Sequence, residues 1–189
     1  MKEKLREALA QRQKKYIVDP TRLKSAVILP IYWREGQYYI LFTKRTEEVT
    51  THKGQISFPG GTYEEEDVTL LNTALREAAE EIDLLADDIE VLGELDDTEA
   101  LVSNYTIAPF VAMIPWPYQF KVDGREIARI IEVPVSSLLD KNKIHNETIT
   151  VEGQTFKQYS YHYHGDVIWG ATARILTQFL DIFSRIAVQ

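Results

Sequence analysis

The chain has 189 residues, no cysteine, 44% hydrophobic and 26% charged residues, and a formal net charge of −8. That length suits one domain with a single core, and the lack of cysteine excludes disulfides, thiolate metal ligands and a Cys nucleophile. The negative charge argues against broad nucleic-acid binding, which needs clustered positive charge, and no apolar run approaches the roughly 20 residues that span a bilayer.

Leu5 and Leu9, four apart among good helix formers, predict a short amphipathic helix that lies over the core, within an N-terminal helical extension at 1–24. The charged start, residues 1–15, lacks the continuous apolar stretch of a secretory signal, so a cytoplasmic setting is expected. Ser25 to Ile31 and Gln37 to Thr43 read as two strands of an antiparallel hairpin, turning over Trp33 to Gly36. Residues 51–62 are loop-like around Gly54 and Pro59-Gly60-Gly61, with a brief β-prone stretch at Gln55 to Phe58.

A long helix is expected next, with Asp67 as N-cap and Val68 to Leu85 free of Gly and Pro. Further strands are expected at Ile89 to Leu95, Tyr105 to Ile114, Glu126 to Val133, Thr148 to Val151 and Thr155 to Tyr163, with a helical start at Pro134 to Leu139. Gly170 to Ile186 returns to helical spacing, and Trp169 reads as a residue docking that helix. Strands placed before, between and after two substantial helices predict an α/β or α+β class, a mixed β-sheet covered by helices.

At about 100° per residue, Leu71, Ala74, Leu75, Ala78, Ile82 and Leu85 form one apolar arc of the first long helix. Glu77, Glu80 and Glu81 project from a neighbouring sector, with Glu81 closest to the apolar edge. Three acids together repel one another, and the one beside the apolar arc also loses solvent, which raises carboxyl pKa values. A hard divalent cation relieves both penalties, and Mg²⁺ accepts a few carboxylates together with substrate phosphate oxygens. Such a cation also lets an acidic protein take an acidic substrate.

Taken alone, the three acids are more simply a solvated helix face. Phe58-Pro59-Gly60-Gly61 shifts that balance, because glycines permit close backbone approach to an anionic substrate shortly before Arg76-Glu77-Ala78-Ala79-Glu80-Glu81.

With these residues the sequence resembles the Nudix hydrolase family, whose signature is G-x5-E-x7-R-E-U-x-E-E-x-G-U, where U is aliphatic. Gly61 fits the opening glycine, residues 76–81 fit the core and Leu84 fits the closing aliphatic position. Asp67 or Glu66 stands in for the first Glu, with one residue inserted before Arg76, and Asp83 replaces the late glycine.

Leu41 to Gly61 also resembles the motif of the coenzyme A diphosphatase branch, L-L-T-x-R-S/T-x3-R-x3-G-x3-F-P-G-G, except that Thr50 stands where the motif has its second arginine. Thr cannot supply a positive charge or a forked donor to a phosphate. Lys44, Arg45 and Lys53 are the candidates to compensate. Leu95 to Thr98, Tyr105 to Phe110 and Ile168 to Arg174 look like that branch as well.

The resemblance implies a Nudix-like α/β/α sandwich. It also implies attack by water on a phosphorus of a nucleoside-diphosphate-linked substrate, with Mg²⁺ or Mn²⁺ as cofactor. Glu77, Glu80 and Glu81 are then the metal ligands, and Arg76 holds the loop acid, Asp67 or Glu66, against the helix. Glu126 is offered as a further acid, leaving the general base open between it and the helix. Arg45, Lys53, Gly60 and Gly61 fall where substrate is bound.

The expected partner is a small diphosphate molecule, coenzyme A-like or nucleotide, without nucleic acid or membrane. Other Nudix substrates such as ADP-ribose or a dinucleoside polyphosphate, and a non-catalytic nucleotide-binding module, stay as alternatives. Oligomeric state is open, a homodimer included. His52 reads equally as a substrate contact or a loop support, while His162 and His164, two apart on one strand face, read as lying outside the site.

Overall fold

Alternation along one apolar strand sets the architecture. Ala26, Ile28 and Tyr32 point to one side of the sheet, and Leu29 and Ile31 to the other. A strand buried on both faces has to lie between two helical layers.

A computed structural model describes residues 1–48, 52–151 and 153–187. In chain order the elements are α1 (Lys2–Ala10), β1 (Leu23–Arg34), β2 (Gln37–Arg45), β3 (Ile56–Ser57), β4 (Gly60–Thr62), α2 (Leu70–Ile82), β5 (Glu90–Glu94), β6 (Thr98–Glu99), β7 (Tyr105–Met113), β8 (Ile127–Pro134), α3 (Val135–Leu138), β9 (Ile144–Val151), β10 (Gln154–Tyr163), β11 (Asp166–Ile168) and α4 (Gly170–Ala187). No helix among the described residues is long and apolar enough to cross a membrane.

The main sheet is mixed. β1 runs parallel to β7, while β5 and β6 pair antiparallel with β7 and β8 pairs antiparallel with β2. The other edge of β1 is shared. β2 pairs with its C-terminal end at Ile31 to Arg34, and β4 pairs with its N-terminal part at Ser25 to Val27. The Ile28 N–H, between these stretches, donates to the Pro59 carbonyl at 2.9 Å. This division of one strand edge seats Pro59-Gly60-Gly61 beside β1.

α2 covers the face of Ala26, Ile28 and Tyr32 with Ala74, Ala78 and Ile82. α1 and α4 cover the opposite face with Leu5, Leu9, Ile175, Leu176, Phe179 and Phe183. The result is an α/β/α sandwich with a mixed sheet, and β9, β10 and β11 form a separate antiparallel three-stranded sheet.

Several expectations need correction. The 1–24 extension is helical only over Lys2–Ala10, because the following segment runs along residues 94–97 instead. The N–H groups of Lys15 and Ile17 donate to the Asp96 and Asp97 carboxylates at 3.1 and 3.0 Å, and β1 begins at Leu23. The carboxylate helix runs from Leu70 to Ile82 with Thr69, not Asp67, as N-cap; the Thr69 hydroxyl accepts the Asn72 N–H at 3.1 Å.

Leu85 lies beyond that helix and is exposed. His164 is not on a strand but in a turn with φ 47°, and His162 packs against His145 with ring centroids 4.2 Å apart.

Candidate active site

The site is built where α2 passes over the β1–β4 junction. Its C-terminal end closes at Asp83, in the left-handed conformation at φ 58°, where the signature has glycine. Asp tolerates that conformation better than most residues, so the helix ends there without shifting Glu77, Glu80 or Glu81 along its axis.

Glu81 is buried, with its residue 6% exposed, and its carboxylate accepts the Gly60 N–H at 3.2 Å. Burial pushes its pKa up to about 8; the fields of Glu77 and Glu126 add to the rise, and the Gly60 N–H and Arg45 oppose it. Burial also raises Glu77, helped by Glu80 and Glu126 and opposed by Arg76. Gly61 lies so close that a Cβ there would collide with the Glu77 carboxylate. At Gly60, with φ 151°, a Cβ would strike the backbone of Ala26 and Val27. Gly60 therefore requires glycine, for contact as much as for conformation, while a side chain at Gly61 would displace the Glu77 carboxylate.

Arg76 anchors the front of the site. Its Nε and Nη2 donate to the two Asp67 oxygens at 2.8 and 3.1 Å, Nη2 also reaches the Thr62 carbonyl at 3.1 Å, and Nη1 reaches Glu77 at 3.0 Å and Glu80 at 3.3 Å. Of the two acids left open by the sequence, Asp67 is the buried one that takes Arg76, while Glu66 is exposed. Asp67 also accepts the Thr73 hydroxyl at 2.9 Å and the Glu64 N–H at 3.0 Å. The Arg76 guanidinium holds the Asp67 carboxyl well below the usual carboxylate range despite its burial.

The inserted residue has a physical trace. Val68 sits at φ 65°, and the residue is 76% exposed. The extra residue is taken up as a left-handed kink just after Asp67, which leaves the acid facing Arg76. A β-branched residue is strained there. Val68→Gly is expected to stabilise the protein by about 1 kcal/mol, because glycine adopts positive φ without a Cβ clash. Thermal melting checks this, and a lowered melting temperature would contradict the strain.

The third edge of the site is the segment 123–127. Glu126 is exposed, and Arg45 Nη2 donates to its Oε2 at 3.1 Å. Lys44, the neighbouring candidate, contacts Asp166 at 3.1 Å instead. Alternation along β2 places Lys44 on the face of Ile40 and Phe42, and Arg45 on the opposite face with Leu41. Lys53 is exposed in the turn before β3, and His52 Nδ1 lies 3.0 Å from Gln55 Oε1, a contact within the loop. Thr50 lies outside the described residues.

Thr73 and Asp123 contribute to the site without a sequence signal that marks them. Thr73 is a neutral residue on a helix and gave no signal. Asp123-Gly124 is a recognisable turn pair, though nothing local ties it to the helix.

Every donor on the helix is a carboxylate oxygen, the ligand type suited to Mg²⁺ or Mn²⁺. Among the described residues, no three of these side chains already surround one point. Glu77 and Glu80 turn to Arg76, Glu81 to Gly60 and Glu126 to Arg45, as like charges do when other partners draw them apart. The raised pKa values of Glu77 and Glu81 mark the cost that a cation would remove, so the residues fit one. The segments around Asp96-Asp97-Thr98 and Arg174 meet each other on the α4 side instead. Gln178 contacts Asp96 and Thr98, and Arg174 donates to the Glu99 carbonyl.

Comparison with known proteins fits this geometry. A family model described as NUDIX domain matches residues 21–151. A protein of Photorhabdus laumondii named uncharacterized Nudix hydrolase NudL is 34% identical over 154 residues, covering 82% of this chain and 81% of its own. A protein of the same name from Yersinia pestis is 35% identical over 156 residues, covering 82% and 77%.

Among solved structures, a C. elegans Ap4A hydrolase binary complex superposes with a TM-score of 0.56 at 12% identity, over 88% of this chain and 98% of its own. A MutT protein from Methanosarcina mazei Go1 gives 0.55 at 16%, over 95% and 100%. The NUDIX domain of Shewanella oneidensis NrtR, complexed with ADP ribose, gives 0.51 at 19%, over 70% and 84%. At these identities the structures share the fold.

Proposed function

We propose, from the premise that the chain belongs to the Nudix family and is a hydrolase of nucleoside-diphosphate-linked substrates, that it cleaves coenzyme A or a derivative to phosphopantetheine and 3′,5′-ADP. The observation that carries this reading is the contact between the branch motif and the carboxylate helix. Gly60 donates to Glu81, Gly61 lies against Glu77, and Arg45 reaches the acid beside them. Motif and acids thus make one site.

In this reading Glu77, Glu80 and Glu81 hold Mg²⁺ or Mn²⁺. The bound cation would offset the diphosphate charge and lower the pKa of the attacking water. Arg76 keeps the loop acid Asp67 fixed and sets the angle at which Glu77 and Glu80 leave the helix. Gly60 and Gly61 let the substrate approach the backbone closely. Arg45 spends Nη2 on Glu126, and the rest of its forked guanidinium suits a phosphate oxygen. Glu126, exposed and close enough to act on Glu77 and Glu81, accepts the proton of the attacking water. Lys53 at the loop rim adds a second positive charge for the substrate.

Purified protein incubated with coenzyme A and Mg²⁺ or Mn²⁺ is expected to release both products, identified by mass spectrometry. No turnover of coenzyme A alongside clear hydrolysis of ADP-ribose or a dinucleoside polyphosphate would move the protein to another Nudix specificity. Thr50 in place of the branch arginine is the feature that favours this second reading.

A further inference from the structure

We propose that Asp123 is a positioning residue that ties Glu126 to the end of the helix carrying Glu81, an inference that rests on the role assigned to Glu126 above. The Asp123 N–H donates to the carbonyl of Glu81 itself at 3.1 Å. Its carboxylate accepts the Ile127 N–H at 2.8 Å through Oδ1, and both of its oxygens lie 3.1 Å from the Glu126 N–H. Gly124, at φ 73°, lets the chain turn back so that one aspartate makes all these contacts.

One residue therefore reaches in two directions. On its backbone side it is fastened to the last turn of α2, where Lys121 also donates to the Ile82 carbonyl at 3.1 Å. On its side-chain side it holds the two amides where β8 starts and Glu126 projects. Thr46 grips the same segment from just past the end of β2, with its N–H on the Glu126 carbonyl at 2.8 Å and its hydroxyl on the Arg125 carbonyl at 2.9 Å. Those contacts fix the segment to the sheet. Among the described residues, Asp123 is what relates it to the helix through hydrogen bonds at both ends. Loss of the carboxylate frees Glu126 to follow Arg45 rather than Glu81.

A double-mutant cycle tests this, read in steady-state kinetics on coenzyme A, or on whichever diphosphate turns over, and separately in Mn²⁺ affinity by titration calorimetry. Asp123→Ala is expected to lower kcat about 10- to 100-fold with little change in KM, the usual scale for an outer partner of a functional group. Mn²⁺ affinity should stay near the wild-type value in both Asp123→Ala and Glu126→Gln, because Glu77, Glu80 and Glu81 hold the ion. Asp123→Asn, which keeps one acceptor oxygen, should lose markedly less, and it carries the same cycle if the alanine variant does not fold.

In the Glu126→Gln background neither Asp123 variant should cost anything further. If the effects instead add in full, or if only Glu126→Gln has an effect, Asp123 is not acting through Glu126 and the proposal is overturned, while the role of Glu126 stands. If Glu126→Gln leaves kcat unchanged, it is the reading of Glu126 that has failed, and the positioning role goes with it.

Discussion

Glu81→Gln is expected to cut turnover at least about a thousandfold, a loss of roughly 4 kcal/mol in barrier lowering, while making the metal-free protein more resistant to heat at alkaline pH. The two effects have one cause. The Glu81 carboxyl is pushed from an ordinary 4.5 to about 8 because it is buried beside Glu77 and Glu126. A folded value above the unfolded one means that folding favours the protonated acid. Stability from this group is complete below the ordinary value and is lost as pH rises through about 8.

Gln is neutral at every pH, and its carbonyl oxygen can still accept the Gly60 N–H. Melting curves in chelator should therefore fall with rising pH in the wild type and fall less in the variant. Equal pH slopes would contradict the buried, strained state of this acid, whatever the kinetics show.

Arg76→Ala is expected to cost about 3–5 kcal/mol of stability, the range for breaking a buried ion pair by removing one partner. Asp67 has a side chain only 4% exposed, and two of its four donors belong to Arg76. Deleting the guanidinium leaves a buried carboxylate with Thr73 and the Glu64 amide alone. Arg76→Lys should recover little, because an ammonium cannot make the paired contact.

Removing Asp67 together with Arg76 should restore part of the loss, since no unpaired charge then stays buried. The sign with pH follows from the lowered Asp67 value. Its contribution is full above the ordinary 3.8 and is lost only as pH falls through the lower folded value. Urea titrations of the four proteins near neutral pH measure this, and a loss under about 1 kcal/mol would class the pair with exposed salt bridges.

The parts of the molecule that were legible in the sequence are those whose signal is local. β1, β2 and β7 alternate or run apolar, and the acids at 77, 80 and 81 lie at helical spacing whatever surrounds them. The start of α2 is ambiguous in sequence because Asp67 and Thr69 are both good N-caps. What decides between them is a tertiary fact, that Arg76 and Thr73 occupy the Asp67 carboxylate. β4, Gly60–Thr62, has no strand-forming composition, and it is extended because β1 leaves half an edge open for it.

Lys44 and Arg45 both offer to compensate for Thr50 in sequence, and their places on β2 send Lys44 to Asp166 on one face and Arg45 to Glu126 on the other. Asp123 was out of reach for a related reason. Its partners are the end of one helix and the beginning of a distant strand, and chain spacing does not encode that meeting.

The central claim is that carboxylates of α2 hold a divalent cation for diphosphate hydrolysis. The most direct measurement is hydrolysis of a diphosphate panel containing coenzyme A, ADP-ribose and a dinucleoside polyphosphate, by wild type and Glu81→Gln side by side, with Mg²⁺, with Mn²⁺ and with chelator. The account predicts turnover of at least one compound by the wild type with metal, and none with chelator or in the folded Glu81→Gln protein. Turnover that persists in chelator, or that Glu81→Gln carries out at the wild-type rate, would contradict it.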